Sequence, residues 1–367
     1  MPRQPNVHAR PRATVFCEGN FAGIDGKTAN GLVRQSERYE ITSIIDSTRA
    51  RQDAGTVLDG TPNGIPIVAD LAAARRLGHL DCCIVGVAPT SGLLSPIERA
   101  VILRAIDEGL DVVNGLHEFL NDDVEFAAAA AARGVTISDV RRPRAKKDLH
   151  MFSGRIHDVG CPRIAVLGTD GAIGKRTTAT VLTRVLNDAG VRAVLVGTGQ
   201  TSLIQGARHG VALDAIPAQF VTGELEDAVV GAWEAEHPDV IIVEGQGALS
   251  HPTYLSSTAI LRGSLPAGVI LQHAPARTML SDFPDLPMPT VISEISLIET
   301  FARTTVMGIT INHENMTDAE VSVAIAGYEA VLGIPATDVL TRPPGALLDM
   351  VFRTFPALRP AHAIVQR

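Results

Sequence analysis

Between Ile164 and Thr178 the chain reads Ile-Ala-Val-Leu-Gly-Thr-Asp-Gly-Ala-Ile-Gly-Lys-Arg-Thr-Thr. A short apolar run, a glycine-rich turn and then a helical apolar period spell strand, tight turn and helix in that order. A strand that is apolar on both faces needs helices on both sides of its sheet. This segment therefore commits the second half of the chain to a parallel, layered α/β arrangement. Backbone N–H groups in such a turn and at the helix start point at an anion, and a lysine meets its charge. The implied ligand carries a phosphate chain.

The usual pattern of such a loop is G-x-x-x-x-G-K-[ST]. This chain departs from it twice. Gly168 stands one place too far from Gly174, and Arg176 occupies the position after Lys175 where a hydroxyl is expected. Thr177 and Thr178 follow. The candidate phosphate-binding residues are Gly168, Thr169, Asp170, Gly171, Gly174, Lys175, Arg176, Thr177 and Thr178. The helix is expected from Lys175 to about Asp188, with Val181, Leu182, Val185 and Leu186 on one face and Gly190 as its stop. In nucleotide-splitting enzymes the hydroxyl after the lysine holds Mg²⁺, so Arg176 weakens the case for ATP hydrolysis. A second cation suits a metal-free polyphosphate, such as the diphosphate and 3′-phosphate of coenzyme A. The bland alternative is a turn that is merely tight.

Two further strand ends attract attention. Val240-Ile-Ile-Val-Glu-Gly-Gln-Gly247 is a β-branched run ending in Glu244, and His251 follows on the next loop. In an open parallel sheet ligands bind outside the carboxyl ends of the strands. Glu244 and His251 are therefore the candidate catalytic residues. Glu244 is suited to bind a metal, act as a base or hold an amine, and equally to pair with Lys175 as a structural group. His251 is either a base or an ordinary packed histidine. Val196-Gly-Thr-Gly-Gln-Thr-Ser202 reads as a ligand-facing loop or a plain turn, with Gln200 as its candidate contact. Asn312-His313-Glu314 closes a later strand and is a weaker candidate for contact with a base or substrate.

The alternation extends over the whole chain. Strand-like runs at 13–16, 39–46, 82–88, 111–114 and 135–138 are separated by helical patterns at 71–77, 96–108 and 122–133. Gly109 and Gly134 stand where helices should stop, and Ser95-Pro96 reads as a helix start. A charged stretch from Arg141 to Cys161 breaks the rhythm before a second series begins. The expected fold is α/β, with two tandem three-layer domains of mainly parallel sheet, the second P-loop NTPase-like. The expected division is a tail at 1–12, a Rossmann-like domain at 13–145, a linker at 146–162 and a P-loop domain at 163–367. The first domain lacks G-x-G-x-x-G, so an NAD site is not supported. Asn114, His117 and Glu118 are polar groups at its sheet edge.

With 367 residues, 46% hydrophobic and 20% charged, the chain is long and apolar enough for two packed domains. Aromatics are only 4%, so Ala, Val, Ile and Leu must build the core. A net charge of -8 argues against a nucleic-acid partner. The basic run 141–147 reads as a solvated linker. No apolar stretch has the length of a membrane span, and the N-terminus lacks a signal-peptide core, so a cytoplasmic protein with small-molecule substrates is expected. An Ala-rich helix at 126–133 suits a homo-oligomer interface. The four cysteines have no metal-ligand spacing, and no metal site is expected.

Gly168 to Lys175 with Val243-Glu-Gly-Gln-Gly247 resembles the dethiobiotin-synthetase-like branch of P-loop proteins. Together with Val112-Val-Asn-Gly-Leu-His-Glu-Phe-Leu120, Asp139-Val-Arg-Arg-Pro143 and Thr198-Gly-Gln200, nearly the whole chain is similar to the DUF1611 family. That resemblance implies a Rossmann-like domain followed by a P-loop domain. Since the family includes D-glutamate N-acetyltransferases, it also implies acetyl-CoA as donor and D-glutamate or a related D-amino acid as acceptor. Such a transfer needs a base for the ammonium group, for which Glu244 and His251 are candidates, and cations for the acceptor's carboxylates, for which Arg262 and Arg277 are candidates. Two alternatives stay open. One is an ATP- and Mg²⁺-dependent kinase or ligase of the dethiobiotin synthetase type, and the other is a nucleotide-gated switch without turnover.

Overall fold

Ile164 and Val166 alternate with Ala165 and Leu167 along one strand, and all four side chains are buried. Such a strand is stable only in the middle of a sheet with helices on both faces. The computed structural model, which describes residues 10–89 and 91–360, has this arrangement twice. The tail expected at 1–12 lies mostly outside the described residues. The chain divides into two compact units, residues 1–142 with 200–207, and residues 143–199 with 208–367.

The first unit is built on strands β1 (Arg12–Phe16), β2 (Glu40–Ile45), β3 (Ile67–Val68), β4 (Cys82–Val85), β5 (Asp111–Asn114) and β6 (Ile137–Asp139). They form one parallel sheet in the order β3-β2-β1-β4-β5-β6, the Rossmann order. The helix starts and stops read from the sequence are real. Ser95 and Glu98 form a capping box ahead of Pro96–Asp107, and Gly134 ends Val124–Arg133 in the left-handed conformation. Asn114 and Glu118 hold loops inside this unit. Asn114 Nδ2 donates to Glu118 O at 2.7 Å and Asp139 Oδ1 at 2.8 Å, and Glu118 Oε2 accepts from Leu94 N at 2.9 Å. The turn after β1 also ends in a Gly-Lys-Thr, Gly26-Lys27-Thr28. There the threonine hydroxyl is paired with Thr201 Oγ1 at 2.9 Å, and Ala29 N donates to Gly86 O at 3.2 Å. That helix start is taken up by packing.

The second unit contains β7 (Arg163–Gly168), β8 (Ala193–Gly197), β9 (His209–Gly210), β10 (Val240–Glu244), β11 (Gly268–His273), the hairpin β12 (Met279–Leu280) and β13 (Phe283–Pro287), then β14 (Val306–Ile311) and β15 (Ala336–Thr337). Seven of these form a parallel sheet in the order β15-β14-β11-β7-β10-β8-β9. The strand before the glycine-rich loop is thus central. Ile164 and Val166 pack with Ala179, Leu182 and Leu186 of the following helix and with Leu347 and Met350. Ala165 and Leu167 pack with Leu225, Val229, Ile260 and Ile298 on the other face. Each such fully buried Leu, Ile or Val contributes roughly 1.5–3 kcal/mol. Register brings Val166 opposite Glu244 and Gly168 opposite Gln272, so the carboxyl ends of three strands lie side by side.

The basic run between the two series is solvated as expected at Arg142, Arg144, Lys146 and Lys147, and Arg141 is its exception. Arg141 is buried and donates to Gly115 O at 2.6 Å. Arg142 pairs with Asp122 at 2.9 Å, and Arg144 with Asp227 at 2.9 Å. Carboxylates thus pair with two of its arginines. All four cysteines are buried free thiols. No helix among the described residues is long and apolar enough to cross a membrane.

Candidate functional site

The loop between β7 and the helix Lys175–Asp188 is shaped by its own side chains. Gly174 takes φ 103°, a left-handed conformation that glycine adopts without Cβ strain, and no side chain caps the helix it starts. The positive end of the helix dipole is therefore presented by backbone alone. Lys175 is buried, and its Nζ folds back to donate to Asp170 O. Asp170 does not face outward as a ligand contact. Its side chain is fully buried, and its Oδ1 accepts from Gly171 N at 2.7 Å. Its Oδ2 accepts from Ser281 N at 2.9 Å and from Arg277 Nη1 at 2.7 Å. Arg277 also donates to Gly171 O at 3.0 Å and forks onto Glu314, with Nε to Oε1 at 2.8 Å and Nη2 to Oε2 at 2.9 Å.

The threonines of the loop divide. Thr169 is buried against His273 Nδ1 at 2.8 Å, and Thr178 donates to Gln272 Oε1 at 2.6 Å. Neither hydroxyl is presented to a ligand. The buried amide of Gln272 already accepts from Thr310 Oγ1 at 2.5 Å, and a threonine one helical turn into the core satisfies its second lone pair. Thr177, Gly171 and Arg176 are half-buried around the helix start. Gly168 is held by packing, since a Cβ there would lie 2.9 Å from Gln272 O and 3.0 Å from Lys175 Cδ. Gln200 starts a short helix that belongs to the first unit, where its Cγ lies against Gly115.

Glu244 ends β10 beside this loop and is buried. Its Oε2 accepts from Thr198 N at 2.8 Å and Gly199 N at 3.2 Å, and Thr198 Oγ1 donates to Glu244 O at 3.1 Å. Two amides on one carboxylate oxygen make Glu244 an anchor of the β8 turn.

His251 lies in the loop after β10. That loop is pinned by Glu294, whose carboxylate accepts from Leu249 N, from Ser250 N at 3.3 Å and from Ser250 Oγ at 2.7 Å, and whose pKa is raised by burial. His251 Nδ1 accepts from Thr253 N at 3.2 Å, which puts the ring hydrogen of the neutral imidazole on Nε2. Burial lowers its pKa, so the ring stays neutral. Its Nε2 is buried without a hydrogen-bond partner. In this tautomer the neutral ring offers a donor at Nε2, where the sequence left open a base or an ordinary packed histidine. Its ring stacks on Tyr254 with centroids 4.4 Å apart, and the Tyr254 hydroxyl donates to Asp282 in the β12–β13 hairpin. Gly247 is required beneath Tyr254, because a Cβ there would lie 2.5 Å from Tyr254 Cδ2.

Of the two arginines considered for an acceptor, Arg277 is committed to Asp170 and Glu314, and Arg262 is exposed over the Phe301 ring. Sequence reasoning missed Gln272, Tyr254, Asp282 and Glu294. Only Tyr254 carried a signal, as one of three tyrosines in the chain, set just past a Gly-Gln-Gly turn. Among the described residues no group of three or more His, Cys, Asp or Glu converges as a metal cluster.

Residues 150–348 match the C-terminal P-loop domain of DUF1611, a domain described as of unknown function. The chain belongs to the DUF1611 family. Residues 47–143 of this DUF1611 protein match the family's Rossmann-like N-terminal domain. A D-glutamate N-acetyltransferase of Tritonibacter scottomollicae is 32% identical over 273 residues, which is 72% of this chain and 79% of that one. A D-glutamate N-acetyltransferase of a Pseudoalteromonas species is 28% identical over 277 residues, 74% of this chain and 80% of that one. The crystal structure of a DUF1611 protein from Anabaena variabilis superposes with a TM-score of 0.86 at 31% identity, covering 94% of this chain and 100% of that one.

Proposed function

We propose that this DUF1611 protein is an N-acetyltransferase that moves the acetyl group of acetyl-CoA to the amino group of D-glutamate or a related D-amino acid. One observation carries the reading beyond the names of its relatives. The phosphate loop has an arginine after its lysine, and Thr178, the second hydroxyl after that, is spent inside the core on Gln272. A loop rich in cation and poor in hydroxyl suits a polyphosphate that arrives without a metal, as coenzyme A does.

In this reading the loop amides, Lys175 and Arg176 hold the donor's phosphates. Lys175 exchanges its intraloop carbonyl for a phosphate oxygen, a stronger charge-assisted acceptor. His251 Nε2–H, neutral and already buried, donates to the thioester oxygen as negative charge develops there. Glu244 keeps the β8 turn in place. The loop by itself is also compatible with ATP, and one experiment separates the two. The protein is incubated with D-glutamate and either acetyl-CoA with a chelator or Mg-ATP, and products are read by mass spectrometry. N-acetyl-D-glutamate formed from acetyl-CoA in chelator supports acetyl transfer. A phosphorylated product formed only with Mg-ATP overturns it in favour of a kinase or ligase.

A further inference from the structure

A base is still needed. The acceptor's ammonium must lose a proton before its nitrogen can attack, and neither Glu244 nor His251 is arranged to take it. The thioester of acetyl-CoA sits at the far end of a long pantetheine arm, so a base for the acceptor belongs some distance from the loop that holds the phosphates. The carboxyl edge of the same sheet offers one at the end of β14.

β14 runs into Asn312-His313-Glu314. Asn312 N donates to His273 O at 2.8 Å, and Asn312 Oδ1 accepts from Glu314 N at 3.0 Å, which closes a tight turn. Glu314 then reaches the guanidinium of Arg277, the same group that holds Asp170 of the phosphate loop. β14 is two strands from β7, about 10 Å across the sheet. β15 pairs in parallel with β14, Thr337 opposite Thr310, so the next residue, Asp338, emerges beside the turn. Its side chain is buried, and Oδ1 is already fixed by Leu340 N at 2.8 Å and Thr341 N at 3.2 Å. The other oxygen lies 2.5 Å from His313 Nδ1. A carboxylate only accepts, so Nδ1 carries the hydrogen and the lone pair of the neutral ring is on Nε2. The His313 side chain is 38% exposed, so the ring is reachable. A buried carboxylate that sets the tautomer of a reachable imidazole is the geometry of a general base and its orienting partner.

We propose that His313, oriented by Asp338, is the general base that deprotonates the acceptor amine. The inference rests on the acetyl-transfer reading above. His313 Nε2 takes one proton from the ammonium group. The freed nitrogen lone pair forms the C–N bond to the thioester carbon, the C–S bond breaks with its electron pair leaving on sulfur, and the thiolate takes the second proton released from nitrogen. The products are amide and thiol, and the proton on His313 passes to water.

The test uses the full chain and measures thiol release from acetyl-CoA at neutral pH. Two acceptors are compared, D-glutamate and methoxyamine, a weakly basic amine that is already unprotonated. His313→Gln keeps a donor for Asp338 but has no base. It is expected to lose roughly 100-fold or more in kcat/KM with D-glutamate, to keep its KM for acetyl-CoA, and to acetylate methoxyamine within about threefold of the wild-type rate. In His313→Ala, added imidazole is expected to restore part of the D-glutamate rate. Asp338→Asn, a change at a positioning residue, is expected to show the same acceptor-selective loss at an unchanged melting temperature. The proposal is overturned if His313→Gln keeps full activity on D-glutamate, or if it loses both acceptors equally while melting as the wild type does. A wild-type protein that releases no thiol with any D-amino acid overturns the acetyl-transfer reading itself.

Discussion

Lys175 and His273 show how differently two buried ionisable groups can behave a few residues from one another in space. Lys175 Nζ donates to a carbonyl of its own loop, a weaker acceptor than the phosphate oxygen proposed to replace it. Replacing it with alanine removes a charge-assisted hydrogen bond worth about 1.5–3 kcal/mol, so Lys175→Ala is expected to raise the KM for acetyl-CoA roughly 10- to 100-fold. Steady-state kinetics at saturating D-glutamate checks this, and an unchanged KM places the donor's phosphates elsewhere. His273 has no charge partner. Burial lowers its pKa from 6.5 to about 4. Above pH 6.5 the ring is neutral in both folded and unfolded chains and costs nothing. As the pH falls from 6.5 to 4 the unfolded chain takes the proton first, so stability drops across that window, by about 3 kcal/mol at most. Urea denaturation at several pH values is expected to show a shallower acid loss in His273→Gln than in the wild type. Equal slopes would contradict the assignment.

The phosphate loop, the β12–β13 hairpin and the turn after β14 are one mechanical element joined by Arg277. Removing one partner of a buried pair strands the other. Arg277→Ala is expected to cost about 3 kcal/mol and to speed amide exchange at Gly171 and Ser281, whose groups contact Asp170. Hydrogen exchange read by mass spectrometry on peptides covering both residues checks this, with Arg262→Ala as the surface comparison. The loop was legible in the sequence because its signals are local, with glycines and a lysine within a few positions. Its fastening was not, because Arg277 lies 107 residues from Asp170 and pairs with it only in the folded chain. The same distinction runs through the strands. Those in the interior, such as Val240–Glu244, announce themselves by β-branched runs. The edge strands Ile67–Val68, His209–Gly210 and Ala336–Thr337 are two residues each, too short for any period. The hairpin Met279–Pro287 is masked by Pro284 and Pro287, which read as loop. Asp338, which follows one of those short strands, left no signal for the same reason, and the hydrogen bonds of Glu244 and His251 form only in the folded chain and cannot be read from the run that ends in Glu244.

At the scale of the molecule, composition foretold the class of core. Two parallel sheets covered by helices are filled with Ala, Val, Ile and Leu, as a chain with few aromatics requires. The division into units was only half visible. The charged break beginning at Arg141 coincides with the passage from one unit to the other. The return of residues 200–207 to the first unit left no mark, because the helix Gln200–Gln205 simply continues the α/β rhythm. Within the first unit that segment is well fastened. Gln205 O accepts from Glu37 N at 2.8 Å, and Gln205 Nε2 donates to Gly31 O and Gln35 O, both at 2.8 Å. A protease nick among Arg144, Lys146 and Lys147 would therefore yield a smaller fragment whose fold is completed by a splint borrowed from the larger one. The two pieces are expected to co-elute on gel filtration without denaturant, and to part when Gln205→Ala weakens the splint. Fragments that separate freely in the unsubstituted chain would show that the splint does not grip.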